Sequence, residues 1–181
     1  MSTLVDAWYW SKSDRIHHIL PLHHVHGIIN ALTCALYVGA TVEMHQKFDA
    51  VQVWERWLAS APPVSEDIEV HRTARPRLSV FMSVPTVYGN LRLFCWKRKQ
   101  EYVLTAFQKK AKLVKQYEKF PEANHAAYSN ACRQFRFMVS GSASLPTPRR
   151  DSWRRLSNGQ VLLERYGMTG MDLVMSKVRW Y

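Results

Sequence analysis

No run of apolar residues in this 181-residue chain approaches the roughly 18–20 that a membrane-spanning helix needs. The longest candidate, "VHGIINALTCALYVGA", is interrupted by His26 and Gly27 and reads as a buried helix. Cysteine is scarce: Cys34, Cys95 and Cys132 are odd in number, widely spaced and set among apolar neighbours. That pattern argues against a disulfide framework and for reduced, buried thiols in an intracellular protein. The opening "MSTLVDAWYWSKSDR" has neither the basic start and apolar core of a secretory signal nor the Arg-rich, acid-poor character of a transit peptide. Internal repeats and low-complexity tracts are missing as well.

Acidic residues are the other shortage, 14 against 25 lysines and arginines, for a net charge of +11. Such an excess attracts nucleic acid, acidic membrane or nucleotide phosphates. The basic residues concentrate in "KRKQEYVLTAFQKKAKLVKQYEK" and again from "RQFRF" through "PRRDSWRR". In the first stretch Tyr102, Val103, Ala106, Phe107, Leu113, Val114 and Tyr117 recur at helical spacing, with lysines falling between them. A solvated amphipathic helix accounts for this, and nucleic acid is not an expected partner. The rival is a non-enzymatic binding or regulatory protein that meets anions or a partner chain through that helix.

What is present suffices for one folded domain: 47% of residues are hydrophobic and seven are tryptophan. "RIHHIL" has the short, branched look of a strand closed by Pro21, and "ATVEM", "LSVFMSV", "FRFMVS" and "VLLERYG" read likewise. Between them lie helices. "VHGIINALTCALYV" stops at Gly39, and Asp49 caps "AVQVWERWLAS", which turns Val53, Trp54, Trp57 and Leu58 to one side. Pro85 opens a helix expected to break and resume until Phe120, and "RRDSWRRLS" closes near Gly159. The segment 61–77 is polar, proline-bearing and aperiodic, an exposed loop, and "GSASLPTP" is a turn-rich one. Strands alternating with helices predict an α/β fold, a mostly parallel sheet with flanking helices.

"HHILPLHHVHG" packs five histidines into ten residues before its glycine. Histidine is the commonest metal ligand, and His24 with His26, or His18 with His23, are candidate pairs. No cysteine or carboxylate lies near them in sequence, however, and on a strand His17 and His18 point to opposite faces. Polar niches beside a sheet explain them better than a metal.

Three pieces in fixed order, "LPLHHVHG" (20–27), "MVSGSASLP" (138–146) and "LLERYGMT" (162–169), resemble the AMP-forming acyl-CoA synthetases. Together with "VGAT" and "FMSVPTVY" they are most similar to the malonyl-CoA (methylmalonyl-CoA) synthetase branch, a mitochondrial one. The similarity runs from Leu4 to Thr169 and is weakest at 61–77 and 97–130. It implies an acid–thiol ligase: a carboxylate attacks the α-phosphate of ATP, and coenzyme A then displaces AMP from the acyl-adenylate. It places His24 as a catalytic residue by the reacting carboxylate and α-phosphate. His26 and Ser142 fall to the acyl pocket, and Ser140, Gly141, Ser142, Ala143, Tyr166, Gly167, Met168 and Thr169 to the nucleotide. By the same resemblance, small residues would let backbone approach the ligand, the Tyr166 ring would stack on adenine, and Thr169 would give its hydroxyl to a phosphate. A malonate-type acid carries a second carboxylate that suits arginine; Arg149 and Arg150 lie close in sequence, although a solvated helix face explains them better.

The pattern also departs from the family. Its phosphate loop is expected upstream of the region with which this chain opens, and its ribose-binding aspartate, hinge and C-terminal lysine domain beyond the region with which it closes. Gly170 stands where the family carries a glutamate for Mg²⁺, so no metal-ligating residue is assigned. Residues 1–181 are therefore expected to be a partial AMP-binding (adenylation) domain, inactive alone, with binding of ATP, AMP, Mg²⁺ and CoA in doubt. Its sheet edges are expected to invite association. Mitochondrial placement rests on the resemblance; without it the chain reads as cytoplasmic.

Overall fold

A computed structural model describes residues 1–61, 75–95 and 120–165 of the chain. Its centre is a five-stranded, wholly parallel sheet: β1 (Arg15–His18), β2 (Thr41–Met44), β3 (Val80–Ser83), β4 (Phe137–Ser140) and β5 (Leu162–Glu164), in the order β2-β1-β3-β4-β5. Parallel neighbours need crossovers, and helices supply them. Helix α1 (Ser2–Ala7) precedes β1, and a helical run from His26 to Tyr37 joins β1 to β2. Helix α3 (Ala50–Leu58) follows β2, α4 (85–95) follows β3, α5 (Phe120–Arg133) leads into β4, and α6 (Thr147–Leu156) joins β4 to β5. The β1–β2 run is α-helical (α2) from Cys34 to Tyr37 only.

Strand alternation divides the core in two. Phe81, Met138 and Leu162 meet Trp54 and Trp57 of α3, Tyr88 and Leu91 of α4, and Trp153 of α6. On the opposite face Ile16, Val80, Met82, Phe137 and Val139 meet Leu4, Val5, Trp8, Ala31, Cys34 and Ala35. β3 and β4 are buried throughout, as expected of central parallel strands covered on both sides. The outer edges of β2 and β5 pair with no strand among the described residues, and Leu36, Tyr37 and Met44 stay exposed near the β2 edge. No helix among the described residues is long and apolar enough to cross a membrane.

The alternation separates the paired histidines as expected. His17 Nδ1 accepts from Trp57 Nε1 at 2.9 Å on one face, while His18 Nε2 meets the Gly27 carbonyl at 3.1 Å on the other. Asp49 caps α3 by accepting from the Gln52 amide, and Gly39 and Gly159 close their helices at φ of 77° and 103°. All three cysteines are free thiols.

The structure differs from the sequence reading in three places. The helix after "HHVHG" winds as a π-helix over His26–Thr33, with His26 bonded to Ser83 of β3 and the Thr33 hydroxyl donating to the Ile28 carbonyl five residues back. Helix α5, unassigned above, is described over Phe120–Arg133, and Arg133 in its last turn suits the negative end of the helix dipole. Arg56 is buried in α3 beside the expected apolar residues, because Glu43 on β2 takes its guanidinium at 2.6 and 2.7 Å. The 62–74 part of the long loop, and the basic apolar-striped stretch 96–119, lie outside the described residues.

Candidate functional site

The strand order reverses between β1 and β3, since the chain leaves β1 outward to β2 and returns to β3 on the far side. In open parallel sheets the crevice beyond the carboxyl ends of the strands at such a point is where ligands bind. The loops that follow β1, β3, β4 and β5 carry "LPLHHVHG", "VPT", "GSASLP" and Arg165 to that edge.

After β1 the chain folds back on itself. The Gly27 and Ile28 amides both donate to the His24 carbonyl at 2.9 Å, and a Cβ on Gly27 would stand 2.2 Å from the Pro21 carbonyl oxygen. Only glycine fits there. The turn exposes His23 and His24, whose rings lie 4.3 Å apart, and sends His26 inward. His26 is 3% exposed, with Nε2 3.1 Å from the Ser83 carbonyl and Nδ1 3.0 Å from the Asn30 carboxamide. A carbonyl only accepts, so Nε2 carries the proton. Burial, reinforced by the charge on Arg165, pushes the ring's pKa down to about 4, so at neutral pH the second nitrogen is bare.

The Ser83 carbonyl also takes the Gly141 amide at 3.0 Å, which brings the β4 loop onto the β1 loop. Gly141 lies flat against the His26 ring: a Cβ there would meet Cε1 at 2.9 Å and Nε2 at 3.0 Å. Ser142 follows in the left-handed region at φ 64°, a conformation held at a cost of about 1–3 kcal/mol and typical of ligand loops. The Glu164 carboxylate fixes the loop's far end by accepting from the Leu145 amide at 2.8 Å. The buried hydroxyls of Ser83 and Ser140, paired in register across β3 and β4, find no partner among the described residues.

Arg165 completes the cluster. It is 8% exposed, its amide donates to the Ser140 carbonyl at 2.9 Å, and its Nε lies 3.0 Å from the Asn30 carboxamide. Among the described residues no carboxylate pairs with it: Asp14 is taken by Arg136, Glu43 by Arg15 and Arg56, and Asp151 by Arg150. Burial pulls the Arg165 pKa below its usual value.

The family model described as AMP-binding enzyme matches residues 1–179. The chain belongs to the AMP-binding enzymes. It is 40% identical to the mitochondrial malonate–CoA ligase of Homo sapiens over 173 residues, 96% of this chain and 24% of that protein. To the malonate–CoA ligase of Arabidopsis thaliana it is 34% identical, over 96% of this chain and 24% of that one. The chain thus spans about a quarter of the length of the curated relatives it matches. Apo MatB from Rhodopseudomonas palustris superposes with a TM-score of 0.61 at 24% identity, covering 93% of this chain and 24% of that one. The two share a fold.

Within this AMP-binding chain the structure brings His26, Ser140 and Gly141 into one hydrogen-bonded cluster and leaves His24, Ser142 and Ala143 on its exposed rim. Tyr166, Gly167, Met168 and Thr169 lie outside the described residues. Arg150 is half exposed on α6, and the Arg149 guanidinium rests near Gly89, 3.4 Å from where a Cβ would stand. Asn30, Ser83 and Arg165 are the residues that reading the sequence missed. Asn30 had left one trace, a lone amide four residues after His26 in an otherwise apolar helix.

Gly141→Ala is expected to displace the His26 ring and cost about 2 kcal/mol of folding stability in urea denaturation. In a His26→Ala background the same change should cost almost nothing, which separates ring contact from backbone strain.

Proposed function

We propose that this chain supplies the acid-recognising wall of a ligase that joins a malonate-type dicarboxylic acid to coenzyme A through an acyl-adenylate. The carrying observation is Arg165, a buried arginine with no carboxylate partner among the described residues, at the sheet edge where ligands bind. Leaving a guanidinium buried and unpaired is expensive, and a ligand carboxylate relieves that cost through two parallel hydrogen bonds. A monocarboxylic acid has one carboxylate, and the reaction uses it. A dicarboxylic acid offers one group to Arg165 and the other to the α-phosphate of ATP. The identity with malonate–CoA ligases supports this choice of acid, and the names of the animal relatives support a mitochondrial site of action.

In the reaction the acid's oxygen bonds to the α-phosphorus while the bond to pyrophosphate breaks; the thiol of coenzyme A then takes the acyl carbon and AMP leaves. This chain's part is to orient and to exclude water. His24 stands on the rim as a donor for the anionic centre, neutral His26 packs against Gly141 at the floor, and the Ser142 turn brings backbone close to the ligand. Among the described residues no group of three or more His, Cys, Asp or Glu could hold a metal.

The test is titration calorimetry of the purified chain with malonate and with acetate. Malonate is expected to bind, and Arg165→Met to weaken it about 100-fold while leaving any acetate binding unchanged, the scale of truncating one side of a buried charge pair. Equal loss for both acids, or undiminished malonate binding in the variant, would sink the assignment.

A further inference from the structure

One terminus of the Asn30 side chain serves two neighbours at once. It lies 3.0 Å from Arg165 Nε, closer still to Nη1, and 3.0 Å from His26 Nδ1. A guanidinium has donors only, so toward Arg165 that terminus must be the amide oxygen. Toward His26 the demand is opposite. Nε2 donates to the Ser83 carbonyl, which leaves Nδ1 of a neutral ring as an acceptor that needs the amide nitrogen. Oxygen satisfies both neighbours only if His26 becomes a second buried cation beside Arg165. The surroundings oppose that: His18 faces it from β1, Arg165 from beyond β5, and Ser83 and Gly141 offer one carbonyl and no carboxylate. On its other side Arg165 feels the Cys34 thiol, which lies near the amino terminus.

The single amide therefore chooses between two partners, and what else Arg165 holds sets the choice. We propose that Asn30 is a positioning residue that couples occupancy of Arg165 to the hydrogen bonding of His26. With no ligand its oxygen steadies the guanidinium and the His26 nitrogen goes without a donor. When a ligand carboxylate takes the guanidinium, the oxygen is no longer needed there. The amide turns and gives its N–H to Nδ1, locking the ring against Gly141. This rests on the reading of Arg165 as the acid-binding residue. Binding at the arginine thereby tightens the floor on which the reacting group sits, and the π-helix that carries both His26 and Asn30 sets the distance between them.

The experiment is ¹⁵N NMR of the histidine rings of the full chain at neutral pH, with His26→Gln to assign the signal. In the ligand-free protein Nδ1 should resonate as a bare nitrogen, and malonate should move it upfield to the position of a hydrogen-bonded acceptor. Asn30→Leu should abolish that movement even where calorimetry shows malonate bound. Arg165→Met, which removes the competitor, should show the shifted position with no ligand present. Bound malonate that leaves the wild-type signal in place, an equal movement in Asn30→Leu, or an Arg165→Met signal like that of the free wild type would each overturn the coupling. Failure of malonate to bind would instead remove the acid reading, and comparing free wild type with Arg165→Met would then decide the amide competition alone.

Discussion

Trp57→Ala is expected to lower the free energy of unfolding by about 4 kcal/mol, a large share of the roughly 5–15 kcal/mol that holds a domain together. Trp57 is fully buried at the hub of the α3 face. Its ring meets Phe81 and Phe135 at 4.8 Å, Trp54 at 5.0 Å and Trp153 at 6.4 Å, all near edge-to-face. Removing it costs transfer energy and leaves a cavity that four rigid rings cannot fill. It also strips His17 of its one donor, since the other ring nitrogen already lacks a partner among the described residues. Trp57→Phe keeps most of the packing and should cost about 1–3 kcal/mol, mainly for the orphaned His17 acceptor. Urea denaturation followed by circular dichroism measures both. A Trp57→Ala loss under about 1 kcal/mol would mean that the cluster is not the load the fold rests on.

Acid should cost a comparable amount. Burial, with repulsion from His45 and Arg56, pushes the pKa of His17 down to about 3, and His26 sits at about 4. Both lie below the 6.5 of an exposed ring, so below pH 6.5 the unfolded chain binds protons that the folded chain refuses. Stability from these rings is whole above pH 6.5 and falls by about 1.4 kcal/mol per pH unit for each, until pH passes the folded value. Between pH 7.5 and 4.5 the two rings together should remove roughly 5 kcal/mol. Asp14 and Glu43, held below the usual carboxylate range by hydrogen bonds from arginine despite their burial, add losses at still lower pH. Denaturation midpoints across that range read the slope, and His17→Gln should reduce it by about half. A slope unchanged by that substitution would place the acid sensitivity elsewhere.

The fold was readable because strand and helix periods alternate cleanly. Every described strand lies within the stretch its branched residues marked, and Asp49, Gly39 and Gly159 stop or start helices where their chemistry predicts. Half of the site was readable for the same reason. The glycine after "HHVH" and the "SGSA" turn mark where backbone approaches side chain, and the structure joins them through His26 and Gly141. Asn30, Ser83 and Arg165 were not readable. Their roles depend on three-dimensional proximity: an amide on one helix, a main-chain carbonyl, and an arginine whose lack of a carboxylate partner among the described residues shows only once the chain is folded. The π-winding was hidden too, since its apolar residues repeat much as an α-helix's do.

The Ser83 carbonyl is a rivet. With one oxygen it fastens the loop that leaves β1 and the loop that leaves β4, one from each side of the point where the sheet's order reverses. Lifting either flap breaks a bond to that same oxygen, so the floor under His26 and the start of the Ser142 turn are both referenced to one point on β3.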